Sequence, residues 1–356
     1  MKGLTHYISG VAAATCFPQA VEIAYNESGF ILVLGGIFGI LPDTLDFKFA
    51  QFFEKYHYII DPDPDNPNVQ EIADTVAKAI NEAHSTGKPR SILLLTIKKG
   101  TDVWRQYKIY FDIENSKVIV TLGPLVNTSK KPFPNSELPG QTVAEASLNC
   151  KLCPQVYDKE TYVDIMSGPS FQFIPKKDGT IKLDFLSWHR RWSHSLTMGI
   201  FFGFLGWLLL GLWLGFAKSL TYGLVITAGF WVHIIEDQLG YMGSNLLWPF
   251  TKEKSVGTKS MHSGDAIPNF STVWLALAII FFNLNQFRAE PVFQMPFLVY
   301  FAYAFIIPMI AIKICDRILT VWDSPTETTQ LAQSNPREER TNQTETIRER
   351  EEGFEG

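Results

Sequence analysis

The chain has 356 residues, 46% of them apolar and 13% aromatic, and only 19% charged, against about 25% charged in a typical soluble domain. Its formal net charge is −5. Eight Glu and four Arg in residues 324–356 account for −4 of that, so the body is nearly neutral, which excludes a nucleic-acid face or a dominating acidic field. The apolar residues gather into long uncharged runs, which excludes a wholly soluble chain.

In chain order, residues 1–50 read as two short membrane segments. The first, 3–21, is interrupted by His6 and Pro18. The second, 28–42, is more apolar and short enough to be re-entrant, and Gly35, Gly36 and Gly39 would let helices approach closely in lipid. Asp61-Pro-Asp-Pro-Asp-Asn-Pro67 is a linker. Residues 69–83 then set Val69, Ile72, Ala73, Val76, Ala79 and Ile80 at helical spacing. Residues 91–98, 107–113 and 117–122 read as strands, the last two joined by a turn at 114–116. Further strands are expected at 162–166, 170–175 and 180–185, with Lys177-Asp-Gly179 as a hairpin turn. Residues 126–157 read as loop.

Residues 61–185 are therefore expected to form an inserted soluble α+β domain, in which nothing reads as catalytic. Four long apolar runs follow within 186–320, at 196–217, 219–235, 266–287 and 291–312. Each approaches the roughly 20 residues that cross a bilayer. The polar segment 324–356 buries too little to offset chain entropy and reads as a disordered C-terminal tail. The expected architecture is a mainly α-helical integral membrane protein with about six membrane segments.

Cys16 and Cys315 lie in apolar stretches, where a buried thiol is the plain reading. Cys150 and Cys153 form one C-x-x-C, open to half a zinc site, a redox pair or a local disulfide. With six crossings, Lys2, Lys48, Lys55, Lys182, Arg190, Arg191, Lys252, Lys254, Lys313 and Arg317 share one side, against Lys218 and Arg288 on the other. That bias makes the inserted domain and tail cytoplasmic in a multi-pass cell-membrane protein.

Polar residues at membrane helix ends are costly and point to function. His6 begins the first segment, Asp43 and Asp46 close the second, His189-Arg-Arg-Trp-Ser-His194 opens the third, and His233-Ile-Ile-Glu-Asp237 closes the fourth. All four ends fall on the same expected membrane face. His and Asp together suit zinc or manganese. His6, Asp43, His194, His233 and Asp237 are the expected ligands, with His189 and Asp46 as further ligands or proton carriers. Arg190 has the planar fork that clamps phosphate, although a positive anchor beside Trp188 and Trp192 is its simpler reading. His57, His84 and His262 read as surface residues.

Five motifs carry a resemblance. Thr5-His6-Tyr-Ile-Ser-Gly10, Leu41-Pro-Asp43-Thr-Leu-Asp46, His189-Arg-Arg-Trp-Ser-His194-Ser195, His233-Ile-Ile-Glu-Asp237 and Leu247-Trp-Pro-Phe250 stand in the order seen in the YdjM-like family of inner-membrane proteins, to which metal-dependent hydrolysis is attributed. The chain resembles that family over roughly 1–50 and 186–315. It departs from it where Phe47, not His, follows Asp46, and where Arg191 replaces a Gly. The resemblance implies a hydrolase. The site's place at headgroup depth points to a lipid or lipid-linked phosphoester, with membrane lipids as partners and a divalent metal as cofactor. The alternative is a membrane scaffold or binding protein whose cluster holds a structural metal or polar network, with the inserted domain as the working part.

Overall fold

The computed structural model describes residues 2–129, 131–140, 142–154, 160–164, 169–251 and 253–322. The segment 324–356, read above as a disordered tail, lies outside them. Residues Met1–Gln294 form one compact unit and a second begins at Met295.

The expected first membrane segment is broken in two. Helix α1 (Gly3–Thr15) ends before Pro18, which opens α2 (Pro18–Asn26) at a first-turn position where its missing N–H costs nothing. The 13 residues of α1 reach about 20 Å, short of the ~30 Å of a hydrocarbon core. The second segment is longer than expected. α3 (Phe30–Leu45) passes straight through Pro42, then continues by a π turn at Asp46–Ala50 into the single turn α4 (Gln51–Phe53).

Helices α6 (Leu196–Leu214), α7 (Phe216–Gln238) and α8 (Ala266–Asn285) follow the α+β region. Among the described residues five helices are long and apolar enough to cross a membrane, starting at Phe30, Leu196, Phe216, Ala266 and Phe297. That corrects the count of six. α6 is apolar all round, with Leu212 and Trp213 exposed to 75% and 85%, as suits a helix facing hydrocarbon. The expected buried thiols are corrected too: Cys16 and Cys315 are both exposed. In the second unit, α9 (Phe297–Phe301) follows Pro296 and runs through a π turn at Ala302–Ile306 into α10 (Ile307–Trp322). This helix starts after the expected 291, because Pro296 serves as its cap.

Helices α1, α3 and α7 touch backbone to backbone. A Cβ on Gly35 would overlap the carbonyl oxygen of Gly10, and one on Gly229 would overlap the carbonyl oxygen of Gly35. This close approach sets the depth at which His6, Asp43 and His233 meet.

The α+β region begins at β1 (Tyr58–Ile60), slightly before the expected boundary at 61. Asn68 caps α5 (Val69–Thr86) by accepting bonds from the Gln70 and Glu71 N–H groups, and Gly87 ends it in the left-handed conformation. The single strand expected at 91–98 is two: β2 (Arg90–Leu94) and β3 (Ile97–Gly100), in different sheets.

One sheet runs β1-β2-β8-β9, with β8 at Ser170–Pro175 and β9 at Ile181–Phe185. The other runs β3-β4-β5-β6, with β4 at Val103–Asp112, β5 at Lys117–Val126 and β7 (Glu160–Val163) also on β4. The β6 strand (Val143–Ser147) lies in the stretch expected to be loop, with Ala144 and Ala146 turned inward. Both sheets and α5 share one core, including Ile80, Ile92, Tyr107, Phe173 and Ile181. Cys150 and Cys153 are free thiols, so the disulfide alternative is overturned.

The glycine contact is testable with one methyl group. Gly35→Ala should destabilise the detergent-purified protein by about 1–3 kcal/mol. Gly3→Ala, where nothing lies within 4 Å of the added Cβ, should be neutral or slightly stabilising. Thermal unfolding of the pair checks this; equal midpoints would refute the close contact.

Candidate metal centre

Four helix ends converge. The start of α1 supplies His6, the end of α3 Asp43 and Asp46, the turn before α6 His189 to His194, and the end of α7 His233, Glu236 and Asp237. His194 and His233 are fully buried, while the Asp43 side chain keeps 27% exposure.

The turn before α6 is held in an unusual backbone state. Leu186 and Arg190 have φ of 46° and 60°, a region that costs non-glycine residues about 1–3 kcal/mol. Tight bonding offsets this at Arg190. Its N–H donates to Asp46 Oδ2 at 2.8 Å, its carbonyl accepts from the Asn245 N–H at 3.1 Å, and its guanidinium reaches Asp237 Oδ1 at 3.0 Å and the Asp237 carbonyl at 3.1 Å. Ser195 then caps α6 by accepting from the Met198 N–H.

Asp46 is completely buried and its oxygens are all engaged. Oδ2 accepts from His189 Nδ1 at 2.8 Å and faces His194 Nδ1 at 3.1 Å, and Oδ1 accepts from the Ser193 hydroxyl. Because Ser193 spends its hydrogen on Asp46, His194 Nδ1 is the donor toward Asp46 and Ser193, which leaves Nε2 with a lone pair. The same reasoning applies to His233. Its Nδ1 donates to the Gly39 carbonyl at 2.7 Å, so its Nε2 is also an acceptor.

These two acceptors face each other at 3.1 Å. Asp237 Oδ2 lies 3.3 Å from His194 Nε2 and 3.4 Å from His233 Nε2, and Asp43 Oδ1 lies 3.4 and 3.7 Å from the same atoms. With both imidazoles neutral, four electron-pair donors this close repel one another unless a proton or a metal ion lies between them. A tetrahedral ion with ligand bonds of about 2.0–2.2 Å sets its donor atoms about 3.3–3.6 Å apart. The donor set therefore fits a divalent metal. In a metal's place a proton does the work: burial pulls the His194 pKa down, but Asp237, Asp43 and Asp46 overcome it and hold it up at about 10. Metal binding would displace that proton. His189 goes the other way, its pKa lowered by burial to about 4 against the pull of Asp46, so it is neutral.

The expected residues thus separate into two groups. Asp43, His194, His233 and Asp237 share the donor cluster; Asp46 and His189 form a second group with His194. Asp46 stands behind His194 and orients it. His189 Nε2 accepts from Arg190 Nε at 3.3 Å, and His189 is not one of the four donors. His6 packs on His233 with ring centroids 3.8 Å apart and the rings tilted by 33°, bonds Glu236 Oε2 through Nδ1 at 2.7 Å and has Nε2 3.5 Å from Asp237 Oδ1. Arg190 is committed to Asp237, and it also lines a cleft of about 350 Å³ with Phe171, Leu183, Phe185 and Met242.

Glu236, Ser193 and the Gly39 carbonyl were not singled out in the sequence. Glu236 carried a readable signal, since it is a second acid at the end of an apolar helix. His57, His84 and His262 are exposed and stand apart from the cluster.

The helices and this cluster define a membrane-type helical chain with a cation-ready centre at one end. Residues 172–314 match the family model described as YdjM inner membrane protein, and over that stretch the chain is similar to that family. The match takes in His189, His194, His233 and Asp237; the fold adds Asp43, Asp46 and His6 from outside it. No curated protein and no solved structure matches the chain.

If Asp46 orients His194, Asp46→Asn should weaken zinc binding about 10–100-fold without removing a ligand. Competition against a chromogenic chelator measures this, and an unchanged affinity would refute the orienting role.

Proposed function

We propose that this protein is a membrane-bound, metal-dependent hydrolase acting on a lipid or lipid-linked phosphoester. Donor chemistry carries the reading. Structural zinc sites are built mostly on Cys thiolates, whereas catalytic ones use His with carboxylate, and here the donors are two His and two Asp with no thiol. Asp43, the one partly exposed donor, marks the side from which substrate would approach. Zinc fits best and manganese next, by the mixed N and O set.

When bound, such a metal lowers the pKa of its water to near 7 and polarises a phosphoryl oxygen. The protein's own part is positional. Gly39 and Asp46 fix the two imidazoles with their lone pairs inward, and Arg190 clamps Asp237 from behind. Substrate class is inferred from place: the centre lies where apolar helices end, and the cleft that reaches Arg190 sets Phe171, Leu183 and Phe185 beside polar Glu160, Tyr162 and His262. The excess of Lys and Arg on that side supports a cytoplasmic orientation.

A second reading rests on one observation. Three of the four donors are almost wholly buried, as in a closed structural site, which would leave the α+β region as the working part.

Metal content by mass spectrometry separates these, for wild type beside His194→Ala and Asp237→Asn. The expected result is about one zinc or manganese per chain, lost in both variants. Hydrolysis of a phosphodiester or phospholipid substrate should be lost with it. A metal-loaded wild type inert toward phosphomonoesters, phosphodiesters and phospholipids would support the structural reading. A folded wild type that stays metal-free after zinc and manganese are added back would sink the hydrolase reading and leave the cluster as a polar network, with the α+β region as the working part.

A further inference from the structure

A second cavity, of about 780 Å³, lies on the other side of the His189–Ser195 turn, between β8, β9 and the loop after α7. Its volume is in the range of small-ligand sites, roughly 300–1,000 Å³. Lys176, Lys182, Arg191 and Lys254 line it, against Asp184 and Glu253. Four cations against two carboxylates leave a surplus of two positive charges. We infer that this cavity binds a phosphate-bearing anion, the headgroup of an anionic phospholipid.

Lys254 supplies the independent observation. Its Nζ is buried and makes no hydrogen bond, with Asp184 Oδ1 at 4.0 Å. An ammonium taken from water without hydrogen-bond partners costs free energy, and burial accordingly lowers its pKa. An anion in the cavity removes that penalty by supplying acceptors. Arg191, its side chain 44% exposed, has N–H donors free of close protein acceptors. Its contacts to Gln172 Oε1 at 3.5 Å and Glu54 Oε1 at 4.0 Å are long for a fork with five N–H donors.

Placement selects the lipid. Trp192 and Trp248 form part of the cavity wall, and indole rings concentrate at headgroup depth. Beside Trp248, Leu247 and Phe250 are exposed to 53% and 82%, so this loop offers the bilayer an apolar edge. The cavity is separate from the His/Asp cluster and shares no donor with it.

The test titrates full-length protein in non-ionic detergent with dihexanoyl phosphatidylglycerol, dihexanoyl phosphatidylcholine or inorganic phosphate, reading thermal stabilisation. A saturable upward shift with the glycerol lipid and not the choline lipid is expected, and Lys254→Met should weaken it at least tenfold. Lys254→Arg should retain it, and Lys182→Gln, at an exposed position, should weaken it several-fold in a folded background. Stabilisation by inorganic phosphate at similar concentration would support the anion site and assign it to free phosphate. No response to either phosphate source overturns the site. So does a response undiminished in Lys254→Met, because that variant keeps any binding at the His/Asp cluster.

Discussion

Asp46 is the group on which the rest of the centre depends. One carboxylate, wholly removed from water, receives His189, Ser193, His194 and the Arg190 backbone N–H. A buried carboxylate is tolerated only when its lone pairs are filled, and here each partner is itself placed by the bond. His194 is turned so that Nε2 points at Asp43, Asp237 and His233. The backbone of Arg190 is held left-handed, which aims its guanidinium at Asp237. The π turn at Asp46–Ala50 presents Asp46 to the next chain segment just where α3 ends.

Charge balance explains why so many basic groups gather there. Asp43, Asp46, Glu236 and Asp237 bring four negative charges, and Arg190 alone offsets one, leaving three. Both ring nitrogens of His6 face carboxylate oxygens, an arrangement suited to imidazolium, which donates from both. Two charges then remain, concentrated around the facing Nε2 atoms of His194 and His233. One divalent ion fills that deficit where a single proton on His194 only halves it. The same arithmetic makes loss of a histidine in this centre costly, because it leaves a buried carboxylate without its counter-charge.

Much of this was legible in the sequence, for physical reasons. Long uncharged runs declare membrane-type helices, and His and Asp at four run ends stand out because ionisable groups are costly there. The division of labour was not legible. Asp43 and Asp46 are the same residue type three positions apart, yet one is a donor in the cluster and the other a support. That depends on which nitrogen of His194 each meets, a matter of tertiary placement. Likewise Arg190 read as an anchor or phosphate clamp, because its partner Asp237 lies 47 positions away. In the α+β region, Leu93-Leu94-Leu95-Thr96-Ile97 is one apolar run, so periodicity cannot reveal that the chain changes sheets within it. The β6 strand hid because its inward residues are alanines, weak strand formers that suit a surface packed against α5.

The glycines of α1, α3 and α7 connect these levels. Helices in lipid gain little from burying apolar side chains against one another, so close backbone contact and interhelical hydrogen bonds hold them together. At Gly39 the two needs coincide. The bare Cα lets the His6 backbone approach; a Cβ there would stand 2.5 Å from the His6 carbonyl oxygen. One residue position thus brings α1 against α3, and its own carbonyl is the acceptor that turns His233. Packing and chemistry are therefore not separable in this bundle: spacing that suits helix contact also determines which lone pairs of the His/Asp cluster face one another.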